Sequence, residues 1–226
     1  MKILKSAAGL LLAASLIFST GCGKTDNSSN KNNEVTTKVI NLGTQDGAKY
    51  SNDFFGLELN VPEEWHVAND EEKAALMQAG QDAIAENNEK MAKQLDLAKE
   101  KTLNLMFAFK HPLPYQGVNP NVLCMAENLD LLASTTIKSG KDYIAMTKTN
   151  MEQTGMPYTF GDISTEKLGN KDFDVIEATL DTGDIIITQK YYASIFDEYA
   201  LVFVCTFSNE DEALETKGIM DSVTFK

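Results

Sequence analysis

The sequence predicts an α+β domain, an antiparallel sheet with helices on both faces in an α/β/α sandwich. Two observations predict it. The run YALVFVCTF (199–207) is apolar at nearly every position, so its strand is expected to be covered on both faces. The strand-like segments beside it are joined by short turns rich in Gly, Asn and Asp, which make neighbours antiparallel. A sheet that is both antiparallel and buried on each side calls for a packed layer above and below it.

The elements follow along the chain. VTTKVINLG (35–43) is a candidate edge strand. In YSNDFFGLELNVPEEW (50–65), Phe55, Leu57, Leu59 and Val61 alternate with Gly56, Glu58 and Asn60, the period of a strand with one buried face. Pro62 ends it. Asn69 with Glu72 has the form of a capping box. Leu76, Met77, Ile84, Met91, Leu95 and Ala98 then recur near helical spacing, predicting helix to about residue 101, with Gly80 and Asn87–Asn88 as points of division.

LNLMFAFKHP (103–112) predicts a strand with Leu103, Leu105, Phe107 and Phe109 on one face, and NVLCMAENL (121–129) is its hairpin partner. Ser139 with Asp142 opens a second helix that ends at Gly155, before Pro157. The strands of FGDISTEKL, DFDVIEATL, IIITQKYYASIF and YALVFVCTF follow, with turns at Gly169–Asn170, Asp181–Asp184 and Asp197–Glu198. Asn209 starts a last helix, and SVTF (222–225) closes the chain as a short strand.

The N-terminus carries an address. Lys2 and Lys5, the apolar run Ala7–Phe18 and small residues Ser19, Thr20 and Gly21 have the layout of a secretory signal. The run is shorter than the roughly 20 apolar residues of a spanning helix. The GKT at 23–25 is not a phosphate loop, because Phe18 stands where the motif needs glycine and DNSSNKNN offers no apolar helix face.

Residues 19–22 resemble the lipobox of bacterial lipoproteins, in which the cysteine receives a diacylglycerol and becomes the new N-terminus. Gly21 and Cys22 match it, while Ser19 stands where leucine is commonest. The resemblance makes Cys22 the expected lipidation site; an ordinary signal cleaved nearby is the alternative. The expected organisation is a signal peptide at 1–21, a lipidated cysteine and polar tether at 22–47, and a folded domain at 48–226. The chain is then held by its lipid on the outer face of a bacterial cytoplasmic membrane. A tether of about 25 residues reaches roughly 25–30 Å.

Removing Lys2 and Lys5 from the 20 basic residues, all lysine, leaves 18 against 33 acids, a net charge of −15. Nucleic-acid binding and polybasic lipid attraction are thereby disfavoured, since both need a cationic face. The acidity reads as a solubility feature. Cys124 and Cys205 lie in apolar runs without a neighbouring histidine or lysine, so buried free thiols are expected over a disulfide or a reactive thiol.

Candidate sites are few. His66 and His111 each follow a strand, and neighbouring strands would let them share a metal with Glu63 or Glu64, against the simpler reading of solvated loop histidines. Asp181 and Asp184 offer oxygens to calcium, but D-T-G-D is better as a hairpin turn. No serine lies in G-x-S-x-G, and abundant acids alone do not define a hydrolase. Trp65, the single tryptophan, is expected to cap the core beneath the first strand, with ligand stacking or partner binding as the other reading. In HPLPYQGVNPN (111–121) three of the five prolines stiffen the setting of Tyr115, the preferred partner-binding candidate. No catalytic residue, resident metal or cofactor is assigned.

The pattern Y-x-N-x-x-F-G-L-x-L-x-V-P-x-x-W at 50–65 resembles the start of the PsbP-like domain. The hairpins from Leu168 to Phe207 and the closing I-M-D-S-V-T-F at 219–225 are similar to it as well. The family includes the photosystem II protein PsbP, a small Ran-binding import factor and envelope lipoproteins of the DcrB type, and the resemblance spans about residues 48–226. It implies a small accessory or binding protein without a shared catalytic motif; photosystem association is not implied. The expected function is therefore a tethered module for an extracytoplasmic protein or envelope partner. A small-ligand or cation-binding lipoprotein is the alternative, and a hydrolase the third reading.

Overall fold

The structure, a computed structural model, describes residues 40–85, 101–129 and 133–226. In chain order the elements are β1 (Thr44–Asp46), β2 (Lys49–Asn52), β3 (Leu57–Asn60), β4 (His66–Val67), α1 (Asp70–Ala85), β5 (Thr102–Phe109) and β6 (Asn121–Asn128). They continue as α2 (Ala133–Thr136), α3 (Gly140–Gln153), β7 (Tyr158–Phe160), β8 (Ser164–Leu168), β9 (Lys171–Asp181), β10 (Ile186–Phe196), β11 (Tyr199–Phe207), α4 (Glu210–Asp221) and β12 (Thr224–Phe225).

The main sheet has the order β4-β5-β6-β11-β10-β9-β7, with β8 also paired to β9, and every pairing is antiparallel. β11 lies at its centre and divides its side chains as its sequence requires. Ala200, Val202 and Val204 enter one core, while Leu201, Phe203 and Cys205 enter the other. The first core is roofed by helices, through Met77 of α1 and Tyr143, Ile144 and Met151 of α3. The second is closed by α4, through Ile219 and Met220, together with a small sheet of order β1-β2-β3-β12 that supplies Leu57, Leu59 and Phe225. Helices do cover both faces, and the small sheet shares the second layer.

Helix starts follow their caps. Glu72 N–H donates to Asn69 Oδ1 (3.0 Å), and Asn69 N–H donates to the Glu72 carboxylate (2.9 Å). Ser139 caps α3 by accepting the Asp142 N–H, and Asn209 caps α4 by accepting the Glu212 N–H. Each cap satisfies a backbone donor that the first helical turn leaves without an internal partner.

Three expectations change. The edge strand at 35–43 is replaced by β1 at 44–46, since Gly43 (φ 81°) turns the chain and Tyr50 Oη donates to Leu42 O at 2.8 Å; residues 35–39 lie outside the described residues. The stretch 50–65 holds a hairpin: Asn52 Oδ1 accepts the N–H groups of Phe54 and Phe55, and Gly56 (φ 63°) turns the chain into β3. The third is in β5, where the register skips between Asn104 and Met106. That bulge puts Leu103, Leu105, Met106 and Ala108 against the second core and turns Phe107 and Phe109 to the helix side. The helix after Asn69 is described to Ala85; Met91, Leu95 and Ala98 lie outside the described residues.

Candidate functional site

The strands carrying the two histidines are neighbours, with His66 opposite Phe109 and His111 two residues further along. Each ring nonetheless has its own partner. His66 Nε2–H donates to the Glu72 carboxylate at 2.9 and 3.0 Å, and His111 stacks on Tyr115 with centroids 4.5 Å apart and an 18° interplanar angle. Glu63 and Glu64 point into solvent. Among the described residues no three His, Cys, Asp or Glu side chains gather to hold a metal.

Asp181 is likewise committed to its turn. Its Oδ1 accepts the Gly183 N–H at 2.8 Å, and Thr182 N–H donates to Ile185 O at 3.1 Å, closing the hairpin between β9 and β10. Cys124 and Cys205 are free thiols buried in the second core. Burial pushes the Cys205 thiol up to about 12 and raises Cys124 as well, the reverse of what a nucleophilic thiolate requires.

Trp65 belongs to the second core and is only 7% exposed. This burial fits the expected role of a cap on the core. Cys22 lies outside the described residues.

Tyr115 stands at the tip of a loop stapled at its base. His111 N–H donates to Asn119 Oδ1 (3.0 Å), and Asn119 Nδ2 donates back to His111 O (2.9 Å). One buried amide thus stands in for a rung of backbone ladder where β5 and β6 part. Lys110 N–H donates to Pro120 O (2.9 Å), Leu113 packs on the helix-side core, and Val118 packs on Leu180 and Ile187. Anchored on both flanks, the loop holds Tyr115 outward at 38% exposure. Sequence reasoning passed over Asn119; the signal was the N-P-N at 119–121, where an amide precedes a residue that cannot donate a backbone hydrogen bond.

The same end of the sheet carries the β9–β10 turn, because Phe109, Asn121, Thr206 and Gln189 are register neighbours across four adjacent strands. Ile185 and Ile186 are exposed there at 41% and 57%. Three of the five large hydrophobics most exposed among the described residues, Tyr115, Ile185 and Ile186, therefore share one end of the domain.

No family model and no curated protein matches this chain. Among solved structures it is similar to cyanobacterial PsbP (CyanoP) from Synechocystis, at 11% identity and a TM-score of 0.48, over 84% of this chain and 96% of that one. It is also similar to LpqN, described as involved in cell envelope biogenesis of Mycobacterium tuberculosis, at 13% identity and a TM-score of 0.43, over 75% and 83% of the two chains. A Bacteroides thetaiotaomicron protein shares 10% identity at a TM-score of 0.39; the match covers 76% of this chain and 45% of that protein, under half its length.

Proposed function

We propose that this chain is a non-catalytic, lipid-tethered binding module that docks an extracytoplasmic protein through the end of the domain built from loop 111–120 and the 182–185 turn. The observation that carries the reading is the clustering of Tyr115, Ile185 and Ile186 on that one end. A rigid aromatic beside exposed aliphatics gives apolar contact area at a low entropic cost, the usual make-up of an anchor at a protein interface. The lipid on Cys22 would confine the domain to the membrane surface and raise its effective concentration for a partner there.

The test is a photo-crosslinking residue placed at Tyr115 in intact cells, with the same residue at Asp172, an exposed position at the other end of the sheet, as control. One protein captured at Tyr115 and not at Asp172 supports the proposal. Identical capture from both positions overturns the assignment of the surface. Replacement of Cys22 by Ser releases the protein from membranes; continued fatty-acid labelling of that variant overturns the lipid assignment.

A further inference from the structure

We infer, resting on docking at the Tyr115 end, that the partner offers a cationic segment in which lysine or arginine side chains flank an apolar residue. Register places the parts. The β10–β11 ladder ends with Thr188 opposite Phe207. Two residues further out, Ile186 therefore stands beside Asn209, which continues β11 in extended conformation (φ −154°, ψ 173°) and caps α4. On its other side Ile186 pairs with Asp181 of β9. An exposed isoleucine thus has a carboxylate on one flank and the acidic first turn of α4 on the other.

Charge in the segments that build this end has one sign. Residues 111–120, 181–186 and 207–216 contain six carboxylates and no lysine, in a chain without arginine. Asp181, Asp184, Glu210 and Asp211 are exposed, and the hydrogen bond that Asp181 accepts from Gly183 leaves its charge in place. Lys110, at the base of the loop, is bound by Glu215 at 2.7 Å. Glu215, with Glu212 and Asp211 adding their fields, raises that ammonium above the ordinary lysine range, so one positive charge stands among three negative ones.

Carboxylates alone describe a solvated face. Here they accompany apolar side chains left in water, Tyr115, Ile185 and Ile186. The loop and the hairpin that carry those side chains are joined, since Val118 packs on Leu180 and Ile187. Such a surface is complemented by an apolar contact at its centre and positive charge at its rim. The same charge disfavours two other occupants. A second copy related by a two-fold axis would set the six carboxylates against their own duplicates. Anionic lipid headgroups would meet the same repulsion.

The test titrates three N-acetylated peptide amides into the full-length chain and follows the isoleucine methyl signals by NMR. They are GSKKLFKKSG, the apolar-free GSKKSSKKSG and the acidic GSEELFEESG. The first should give saturable shifts at Ile185 and Ile186, the second should bind several-fold more weakly, and the third should give no shift. Asp181→Asn combined with Asp184→Asn should weaken the first peptide by roughly threefold or more. Asparagine supports the same turn, so the hairpin survives the change. Asp53→Asn combined with Asp172→Asn removes equal charge at the opposite end, where Phe54 packs on Tyr199 and β9 begins, and should weaken binding far less. Absence of a saturable shift, equal affinity for the cationic and acidic peptides, or equal weakening by the two double variants would overturn the inference. Shifts that grow with chain concentration alone, or that phosphatidylglycerol vesicles produce, would overturn it in favour of a second copy or of lipid. Selective capture through Tyr115 alongside equal affinity or equal weakening would leave docking itself standing, so the two failures are distinguishable.

Discussion

The Glu72 carboxylate holds the Nε2–H of His66 at 2.9 and 3.0 Å while also accepting the N–H of Asn69 at 2.9 Å. One side chain therefore closes the N-terminus of α1 and ties it to β4. Glu72→Ala should lower stability by about 1–2 kcal/mol, the cap and the histidine contact being lost together. Asn69→Ala should cost about 1 kcal/mol. Denaturant midpoints of both single variants and the double variant check this; strictly additive losses would mean that the two residues do not act as a unit.

Asn119 is expected to govern the order of loop 111–120. Asn119→Ala leaves the N–H and C=O of His111 without their partner and should destabilise the domain by about 1–3 kcal/mol. Amide exchange at His111 should accelerate more than exchange in β10. A uniform change across the domain would show that the amide stabilises the fold without acting on the loop.

Docking and stability should separate at Ile186. With 57% of this residue exposed, Ile186→Ser should change stability by no more than about 0.5 kcal/mol. Capture of the partner through Tyr115 should fall sharply in the same variant. Undiminished capture would remove the hairpin tip from the proposed surface.

Asp142 gives an acid-sensitive contribution. Hydrogen bonds from the Ser139 hydroxyl and the Lys138 N–H hold its carboxyl below the ordinary aspartate range. A folded pKa below the unfolded one stabilises the protein at pH values above the unfolded value, and the gain is lost as pH falls through the folded one. Asp142→Asn should therefore flatten the stability profile below about pH 4 and leave the slope near neutrality unchanged. An identical acid limb in the variant would refute the assignment.

The thiols supply a further check. In the folded protein neither Cys124 nor Cys205 should react with a thiol reagent at neutral pH, and both should react on unfolding. Rapid labelling of one thiol in the native state would contradict the burial shown in the second core.

Much of this architecture was legible because it is written in short-range chemistry. Asn69, Ser139 and Asn209 announce helix starts, and Asp181–Asp184 announces a turn, each through side chains bonding to backbone a few residues away. The double-sided burial of β11 was legible because its composition leaves no polar face. The β5 bulge was not, since Leu103, Leu105, Phe107 and Phe109 form an unbroken alternation and only pairing with β6 shows the extra residue. The small sheet was equally hidden: β3 finds β12 across most of the chain, a pairing that no local pattern encodes. At the end of the sheet that carries loop 111–120, Tyr115 could be suspected from its prolines. Its nearness to Ile185 and Ile186 depends on the order of four strands.

The last strand has a consequence for how the molecule comes into being. Phe225 pairs with Leu57, its ring stacks against both Phe173 and Phe196, and Lys226 N–H donates to Gly56 O at 2.9 Å. Residues 224–226 therefore seal the second core against β3, far away along the chain. Contacts so distant along the chain form late, because loop closure must precede any gain from them. The second core is therefore among the last parts of the domain to close, once β12 has found β3.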